Sequence, residues 1–312
     1  MPGPSADLGR RLQTGSIAML PLAEDATWKP MNRIITAIIA LPILIASILI
    51  PWLEPLFIVL AAGAMLFGLY EFYVLARKKD MKPDVAAGFL GGAALFTMFC
   101  FATPPTPTQS RLDVQMIVLV LLALTIGTLV AATLRGAPFD KTIASSGATI
   151  LGVLYVVFLG GHLVALRTGF EEQLSARLLS FFFLVLMGSD TGAYYVGKAI
   201  GKHKLAPTIS PGKTWEGVAG GVVAALALAA VAHFWFFKEL PLKWMLPLAA
   251  VMTLFGILGD LTESALKRSA GAKDAAKLLP GHGGALDRLD SLLFNAPLIY
   301  YFAHFYFSVR LP

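Results

Sequence analysis

The chain has 312 residues, of which 57% are hydrophobic and only 14% are charged, and its mean hydropathy is +0.72. A soluble domain carries roughly 25% charged residues, so this composition excludes a single water-soluble globule and indicates that lipid covers much of the surface. The net charge of +6 is a modest excess, and the single cysteine, Cys100, excludes an intrachain disulfide.

Nine apolar stretches have about the length, roughly 20 residues, that crosses a bilayer as a helix. Their approximate ranges are 33–53, 56–76, 86–103, 114–134, 147–166, 178–199, 216–237, 244–265 and 289–308. The predicted fold class is therefore an all-α integral membrane protein with about nine transmembrane helices. The predicted regions are a cytoplasmic tail (1–32), N-terminal transmembrane helices (33–170) and a C-terminal catalytic transmembrane region (171–312).

The basic residues are unevenly distributed between the predicted loops. With the N-terminus placed in the cytoplasm, nineteen of the 25 lysine and arginine residues fall on the inner side and six fall on the outer side. Because cytoplasmic loops carry the excess of positive charge, this split predicts a multi-pass protein of the inner membrane with its C-terminus outside. The excess of basic residues on the cytoplasmic side also accounts for the net positive charge, so no nucleic-acid partner is needed to explain it.

A carboxylate interrupts the sixth predicted span. Asp190 lies roughly 13 Å inside the helix end, at ~1.5 Å per residue, and glycine–lysine pairs follow it at 197–198 and 201–202. A charge at that depth is costly in hydrocarbon and must face the bundle interior or a wet cavity. Two interpretations stay open for Asp190: a functional site, or a structural hydrogen bond to a neighbouring helix.

The stretch 207–217 carries the next polar group, and its Gly212-Lys213-Thr214 is part of a Walker A pattern. That motif requires another glycine five positions before Gly212; this chain has proline there, and no strand is predicted ahead of it, so a P-loop fold is rejected. Ser210, Lys213 and Thr214 still offer two hydroxyls and an ammonium group to phosphates, just before a helix N-terminus that favours anions.

Three residues at the start of the helix after this loop, Glu216, Gly217 and Gly221, can be explained by helix capping or helix packing. Glu216 is either a first-turn cap, favourable at the positive end of the helix dipole, or a functional residue. Gly217 and Gly221 form a GxxxG pair, which favours close helix packing over chemistry.

A third polar cluster begins at the end of the eighth span. Asp260, Glu263, Ser264 and Lys267 are spaced i, i+3, i+4 and i+7, so they share one face of a helix, with Arg268 at its edge. A solvated charged face is the usual interpretation of such a run. It fails here because the acids stand where two helices meet the membrane, interleaved with basic and glycine-rich segments.

The glycine-rich turn 280–284 and the start of the last span complete this cluster. The turn is suited to an anion, and Asp287 and Asp290 open the span with Arg288 between them. Carboxylates suit Mg²⁺, which shares its ligand shell with substrate phosphates. The five histidines are scattered and there is no His/Cys cluster for zinc; His282 alone stands in a glycine-rich setting.

These spaced polar positions resemble the signature of the phosphatidate cytidylyltransferase (CDP-diacylglycerol synthase) family. The matching positions are Ser264, Lys267-Arg268, Lys273-Asp274, His282-Gly283-Gly284 and Asp287-Arg288-Leu289-Asp290. The segments around Asp190 and Ser210 also look like family elements, so the close match runs from about 190 to 291. One position departs: Ala285 stands where the family usually has a larger aliphatic residue, which bears on local packing.

The resemblance implies a nucleotidyltransferase of phospholipid biosynthesis, which transfers the cytidylyl group of CTP to phosphatidate and gives CDP-diacylglycerol and pyrophosphate. The implied cofactor is Mg²⁺, with a second cation left open. The implied partners are CTP, phosphatidate and membrane lipids, with a homodimer left open. Because the lipid phosphate is already an anion, the barrier is charge crowding between two polyanions, which metals, lysine and arginine relieve.

On this resemblance the site residues fall into three groups. Asp260 and Asp287 are expected as leading metal ligands, Asp290 in support, and Asp190 as an outer ligand or an acceptor for the nucleotide. The residues expected to act on the reacting groups are Lys267, Arg268, Asp287, Arg288 and His282. The residues expected to bind substrate are Ser210, Lys213, Thr214, Glu216, Ser264, Lys273, Gly283 and Gly284.

Two other classes of membrane protein stay open at this point. A CTP-using kinase of a polyprenol or other lipid alcohol shares the setting and the nucleotide, but it needs a base to deprotonate the alcohol, and none is obvious. A transporter or flippase would explain polar residues in spans, but broken helices should then recur in both halves, and they do not.

Overall fold

The computed structural model describes residues 40–101, 113–136, 139–272 and 284–308, and each predicted apolar stretch contains a helix. A backbone in hydrocarbon must satisfy its hydrogen bonds internally, which a helix does. The helices are α1 (Ala40–Leu49), α2 (Glu54–Arg77), α3 (Val85–Cys100), α4 (Val114–Arg135), α5 (Thr142–Thr168), α6 (Glu172–Ile200), α7 (Trp215–Trp235), α8 (Leu242–Ser269) and α9 (Leu286–Ser308).

Six of the described helices are long and apolar enough to cross a membrane: α2, α4, α5, α6, α7 and α8. The described parts of α1 and α3 are apolar but shorter, and α9 begins with charged residues. The structure therefore supports a helical membrane protein, while the count of nine crossings stays a prediction. The predicted tail 1–32 lies outside the described residues.

Helix ends near the polar loops are fixed by recognisable capping interactions. The side chain of Asp84 accepts a hydrogen bond from Ala87 N at 3.0 Å and caps α3. At the end of α8, Ala272 N donates to Lys267 O and Gly271 N donates to Arg268 O, both at 2.9 Å. With Gly271 at a φ of 64°, this is a Schellman motif, and it ends α8 just after its basic residues.

Helices α6 and α7 pack along a seam of glycines. A Cβ placed on Gly217 would lie 2.9 Å from Ala193 O, and one on Gly221 would lie 3.0 Å from Ser189 O. Both neighbours are backbone atoms of α6, so only glycine permits this approach. The prediction that Gly217 and Gly221 serve helix packing is confirmed.

A two-stranded hairpin joins α6 to α7, and the rest of the described secondary structure is helical. Strand β1 (Lys204–Ala206) pairs antiparallel with β2 (Ser210–Thr214). The expectation that no strand precedes the loop 207–217 was therefore wrong, because β1 ends directly before it. The P-loop fold is still excluded, since that fold has a glycine where this chain has Pro207 and this sheet is a short antiparallel hairpin.

The N-terminal half packs against the C-terminal half mainly through α2, α5 and α9. The middle of α5 widens into a π-helical stretch over Val153–Phe158. At the end of α5, Arg167 is buried and its Nη1 lies 3.1 Å from Glu54 Oε2, at the start of α2. This ion pair lies at the opposite end of α2 from the residues that meet the first turn of α9.

Candidate active site

A cavity of about 670 Å³ lies between α6, the hairpin, α7, α8 and the first turns of α9. All of these elements except α7 contribute polar side chains that the sequence predicts to be functional. The predicted site residues that line the cavity are Asp190, Ser210, Lys213, Thr214, Asp260, Asp287 and Asp290. Segments that are 100 residues apart in sequence thus converge on one space.

Three carboxylates form a cluster beside this cavity. One oxygen each of Asp260, Glu263 and Asp290 lies within 4.8 Å of the others. Asp260 and Glu263 share a face of α8, and Asp290 comes from the first turns of α9. Carboxylates this close repel one another when ionised, so the arrangement calls for a compensating positive charge.

Glu263 is the most deeply buried member of the cluster, with 1% of its surface exposed. Its Oε2 lies 2.5 Å from Lys267 Nζ, whereas its Oε1 has no hydrogen-bond partner among the described residues. Buried polar atoms are almost always paired in folded proteins. The unpaired oxygen therefore points to a group that completes the cluster, and an oxygen-binding cation fits it.

Lys267, on α8, contacts one carboxylate of its own helix and one of α9. Besides its contact with Glu263, its Nζ donates a hydrogen bond to Asp287 Oδ1 at 2.6 Å. The other oxygen of Asp287 accepts a hydrogen bond from Gly284 N at 3.0 Å. Both oxygens of Asp287 are thus engaged within the protein, although Asp287 also lines the cavity.

Lys213 projects from β2 towards the same carboxylates. Its Nζ lies 2.7 Å from Asp260 Oδ2 and 3.4 Å from Ile257 O. The neighbouring Thr214 caps α7, since its hydroxyl accepts a hydrogen bond from Gly217 N at 3.1 Å. The hairpin therefore carries its ammonium group to the acidic wall and sets it beside a helix N-terminus.

Other predicted residues shape the site without lining it. The carboxylate of Glu216 accepts a hydrogen bond from His203 N at 3.2 Å and lies 2.6 Å from its Nδ1, which closes the base of the hairpin. Arg268 Nε donates to Ile209 O, in the hairpin turn, at 3.4 Å. Ser264 donates to Asp260 Oδ1 at 3.3 Å, and Arg288 lies exposed in the first turn of α9.

Three predicted residues fall outside the described parts of the chain, namely Lys273, His282 and Gly283. Sequence reasoning also gave no role to two residues that the structure brings to the site. Glu263 belongs to the acidic helix face that the i, i+3 spacing predicts, and that spacing could have identified it as a site residue. Glu71 contacts the start of α9. It could have been identified in the sequence as a carboxylate inside an otherwise apolar predicted span.

The sequence profile of the cytidylyltransferase family matches residues 31–306, which is most of the chain. The chain belongs to the cytidylyltransferase family. It is 34% identical to the phosphatidate cytidylyltransferase of Bacillus subtilis over 276 residues, covering 86% of this chain and 96% of the relative.

Two further members of the family support the same assignment. The phosphatidate cytidylyltransferase of Pseudomonas aeruginosa is 34% identical over 273 residues, which cover 86% of this chain and 94% of the relative. That of Haemophilus influenzae is 46% identical over 136 residues, or 42% of this chain and 46% of the relative. The family resemblance stated from the spaced polar positions is therefore confirmed.

Proposed function

We propose that this chain transfers the cytidylyl group of CTP to phosphatidate, giving CDP-diacylglycerol and pyrophosphate. A phosphate oxygen of phosphatidate forms a bond to the α-phosphorus of CTP, and the bond from that phosphorus to the oxygen bridging to the β-phosphorus breaks. Family membership and the names of the relatives support this reaction. The observation that carries it is the cavity in which Lys213 faces the carboxylate cluster of Asp260, Glu263 and Asp290.

Magnesium fits the residues that form the cluster. Three carboxylates lie within 4.8 Å of one another, and Glu263 Oε1 is buried without a hydrogen-bond partner among the described residues. When bound, Mg²⁺ supplies positive charge that carboxylate and phosphate oxygens share. We propose that Asp260, Glu263 and Asp290 hold it, with Asp190 on the facing wall as an outer ligand or an acceptor for the nucleotide.

This proposal changes the role of one predicted metal ligand. The sequence predicts Asp287 as a leading ligand, whereas in the structure its two oxygens accept hydrogen bonds from Lys267 and Gly284. We propose that Asp287 instead orients Lys267 and that Glu263 takes its place in the ligand set.

The basic residues then act on phosphate charge. Lys213, held on the hairpin ahead of α7, would exchange its contact with Asp260 for the phosphates of CTP, and the helix N-terminus reinforces that attraction. Lys267 would neutralise charge on the departing pyrophosphate. The phosphatidate phosphate is already ionised, so positioning and electrostatics account for the catalysis without a strong general base.

The proposed substrates also bear on the transmembrane orientation of the protein. We propose nine crossings with the N-terminus in the cytoplasm, which the distribution of lysine and arginine supports. The cavity would then open at the inner headgroup level, where CTP arrives from the cytosol and phosphatidate arrives laterally. Basic residues near that surface also attract anionic lipid.

Two parallel assays with the purified full-length protein test the proposed function: one uses CTP labelled at the α-phosphate with phosphatidate, and the other uses CTP labelled at the γ-phosphate with a lipid alcohol. With phosphatidate, Mg²⁺ and CTP labelled at the α-phosphate, the label should enter the lipid fraction as CDP-lipid while pyrophosphate is released in equal amount. Asp290→Asn should abolish this transfer. Glu239→Gln is a matched control, since Glu239 pairs with Arg177 away from the cavity, and it should retain activity.

Two outcomes would overturn the assignment. If phosphatidate received no label, the chain would not be a phosphatidate cytidylyltransferase. If label from the γ-phosphate of CTP entered a lipid alcohol instead, the chain would be a kinase.

A further inference from the structure

A buried carboxylate in the N-terminal half touches the first turn of α9. Glu71, on α2, has 0% of its surface exposed, and its Oε2 accepts a hydrogen bond from Leu286 N at 2.8 Å. Its Oε1 has no hydrogen-bond partner among the described residues. A buried carboxylate with one unpaired oxygen is costly. Glu71 is the only charged residue between the two ends of α2, so its presence calls for an explanation.

The backbone of α9 supplies a reason for the carboxylate. The first turn of a helix leaves its N–H groups without partners inside the helix, and negative charge is favourable there. Asp287 Oδ2 accepts a hydrogen bond from Gly284 N, two residues before α9 begins. Glu71, on a different helix, accepts the hydrogen bond from Leu286 N, the first residue of α9, so α2 supplies a cap for this helix.

The turn that Glu71 holds is the one that carries the predicted chemistry. Asp287, next to Leu286 in sequence, binds Lys267 at 2.6 Å, and Asp290 joins the carboxylate cluster one turn later. About one turn away on α2, Gly68 lies close against Leu289 of α9. A Cβ added to Gly68 would be only 3.1 Å from Leu289 Cδ1. Two points one turn apart on α2 thus lie against the first turns of α9.

We propose that Glu71 is a positioning residue for cytidylyl transfer. It does not line the cavity among the described residues, and it acts through the backbone of α9 by holding Asp287 and Asp290 in register with Lys267 and Asp260. This inference rests on the proposed function. It assigns to α2, a span with an otherwise ordinary apolar sequence, a direct part in the geometry of the site.

The test compares three variants of the full-length protein. Glu71→Ala removes the acceptor, whereas Glu71→Gln keeps an acceptor oxygen but loses the charge that strengthens such a bond. Glu54→Gln is the matched control: it lies on the same helix, and its ion pair with Arg167 is at the far end from the site. The measurements are kcat, the KM for CTP, the Mg²⁺ concentration at half-maximal activity and the melting temperature.

A displaced α9 should affect turnover and metal activation together. Because misplacement of a catalytic group by 1 Å can cost 100-fold in rate, Glu71→Ala should lower kcat by about 10- to 100-fold. It should also raise the Mg²⁺ concentration at half-maximal activity, since Asp290 moves relative to Asp260 and Glu263. Glu71→Gln should fall between wild type and Glu71→Ala in both measurements, and Glu54→Gln should match wild type in both.

A purely structural role for Glu71 gives a different result. The melting temperature would fall in Glu71→Ala, while kcat and the Mg²⁺ dependence of the folded protein would match wild type, and this would overturn the proposal. If Glu71→Ala does not accumulate in membranes, Glu71→Gln decides, and wild-type values of both parameters in that variant would overturn it. Failure of the proposed function is distinct, because wild type itself would then form no CDP-lipid.

Discussion

The contact between α8 and α9 at Gly259 allows a sharp test of the site geometry. A Cβ on Gly259 would lie 3.0 Å from the carbonyl carbon of Asp290 and 3.2 Å from Ser291 Cα, and closer still to the Asp290 carbonyl oxygen. Ordinary contacts of this kind are 3.4–4 Å, and these neighbours are backbone atoms that cannot rotate away. Gly259→Ala must therefore separate the two helices by several tenths of an ångström, with an overpacking cost of about 1–3 kcal/mol.

The same displacement of α9 should lower the rate of cytidylyl transfer. Asp290 would move away from Asp260 and Glu263, whose oxygens lie within 4.8 Å of its own. Since a misplacement of 1 Å can cost 100-fold in rate, a shift of a few tenths should lower kcat by about tenfold. The assay is CDP-lipid formation at saturating CTP and phosphatidate across a Mg²⁺ titration, together with a thermal unfolding scan.

Gly63→Ala provides the matched control for this test. Gly63 lies inside α2, and a Cβ placed there would meet nothing within 4 Å. Alanine is favoured over glycine in a helix interior by about 1 kcal/mol, so this variant should be as stable as wild type and fully active. If Gly259→Ala matched Gly63→Ala in melting temperature and turnover, the close backbone contact would not be what aligns the carboxylates.

Two further predictions follow from the hairpin and from the charge distribution. Lys213→Ala should raise the KM for CTP by about 10- to 150-fold, since a charge-assisted contact contributes roughly 1.5–3 kcal/mol, with a smaller effect on the KM for phosphatidate; an effect on phosphatidate alone would make the hairpin a lipid headgroup site. Reporter fusions after residue 205 should be cytoplasmic and those after residue 312 should be external, and a cytoplasmic C-terminus would mean that the number of crossings is wrong.

The positions of the helices could be predicted from the sequence because the length of an apolar run sets them directly. The hairpin could not, because β1 and β2 together hold eight residues without the alternation that marks a longer strand. Spacing also placed Asp260 and Glu263 on one face of a helix. It could not show which of the two would be buried against α9, since that depends on how two helices rotate against each other.

Glu71 illustrates a different limit of sequence reasoning. Its partner is a backbone N–H group, 215 positions further along the chain. A backbone donor leaves no trace in the identity of the residue that carries it, so no motif or spacing could connect Glu71 to Leu286. Only the arrangement of α2 beside α9 reveals the contact.

The long separation between Glu71 and Leu286 also bears on how the protein is made. At about 5–20 residues per second, the ribosome completes α2 roughly ten to forty seconds before it reaches the start of α9. Until then Glu71 lacks its backbone donor, and Lys267 lacks one of its two carboxylates. Insertion of α9 supplies both at once. If Asp287 and Asp290 have the roles proposed above, a chain truncated before α9 and left in the bilayer would form no CDP-lipid.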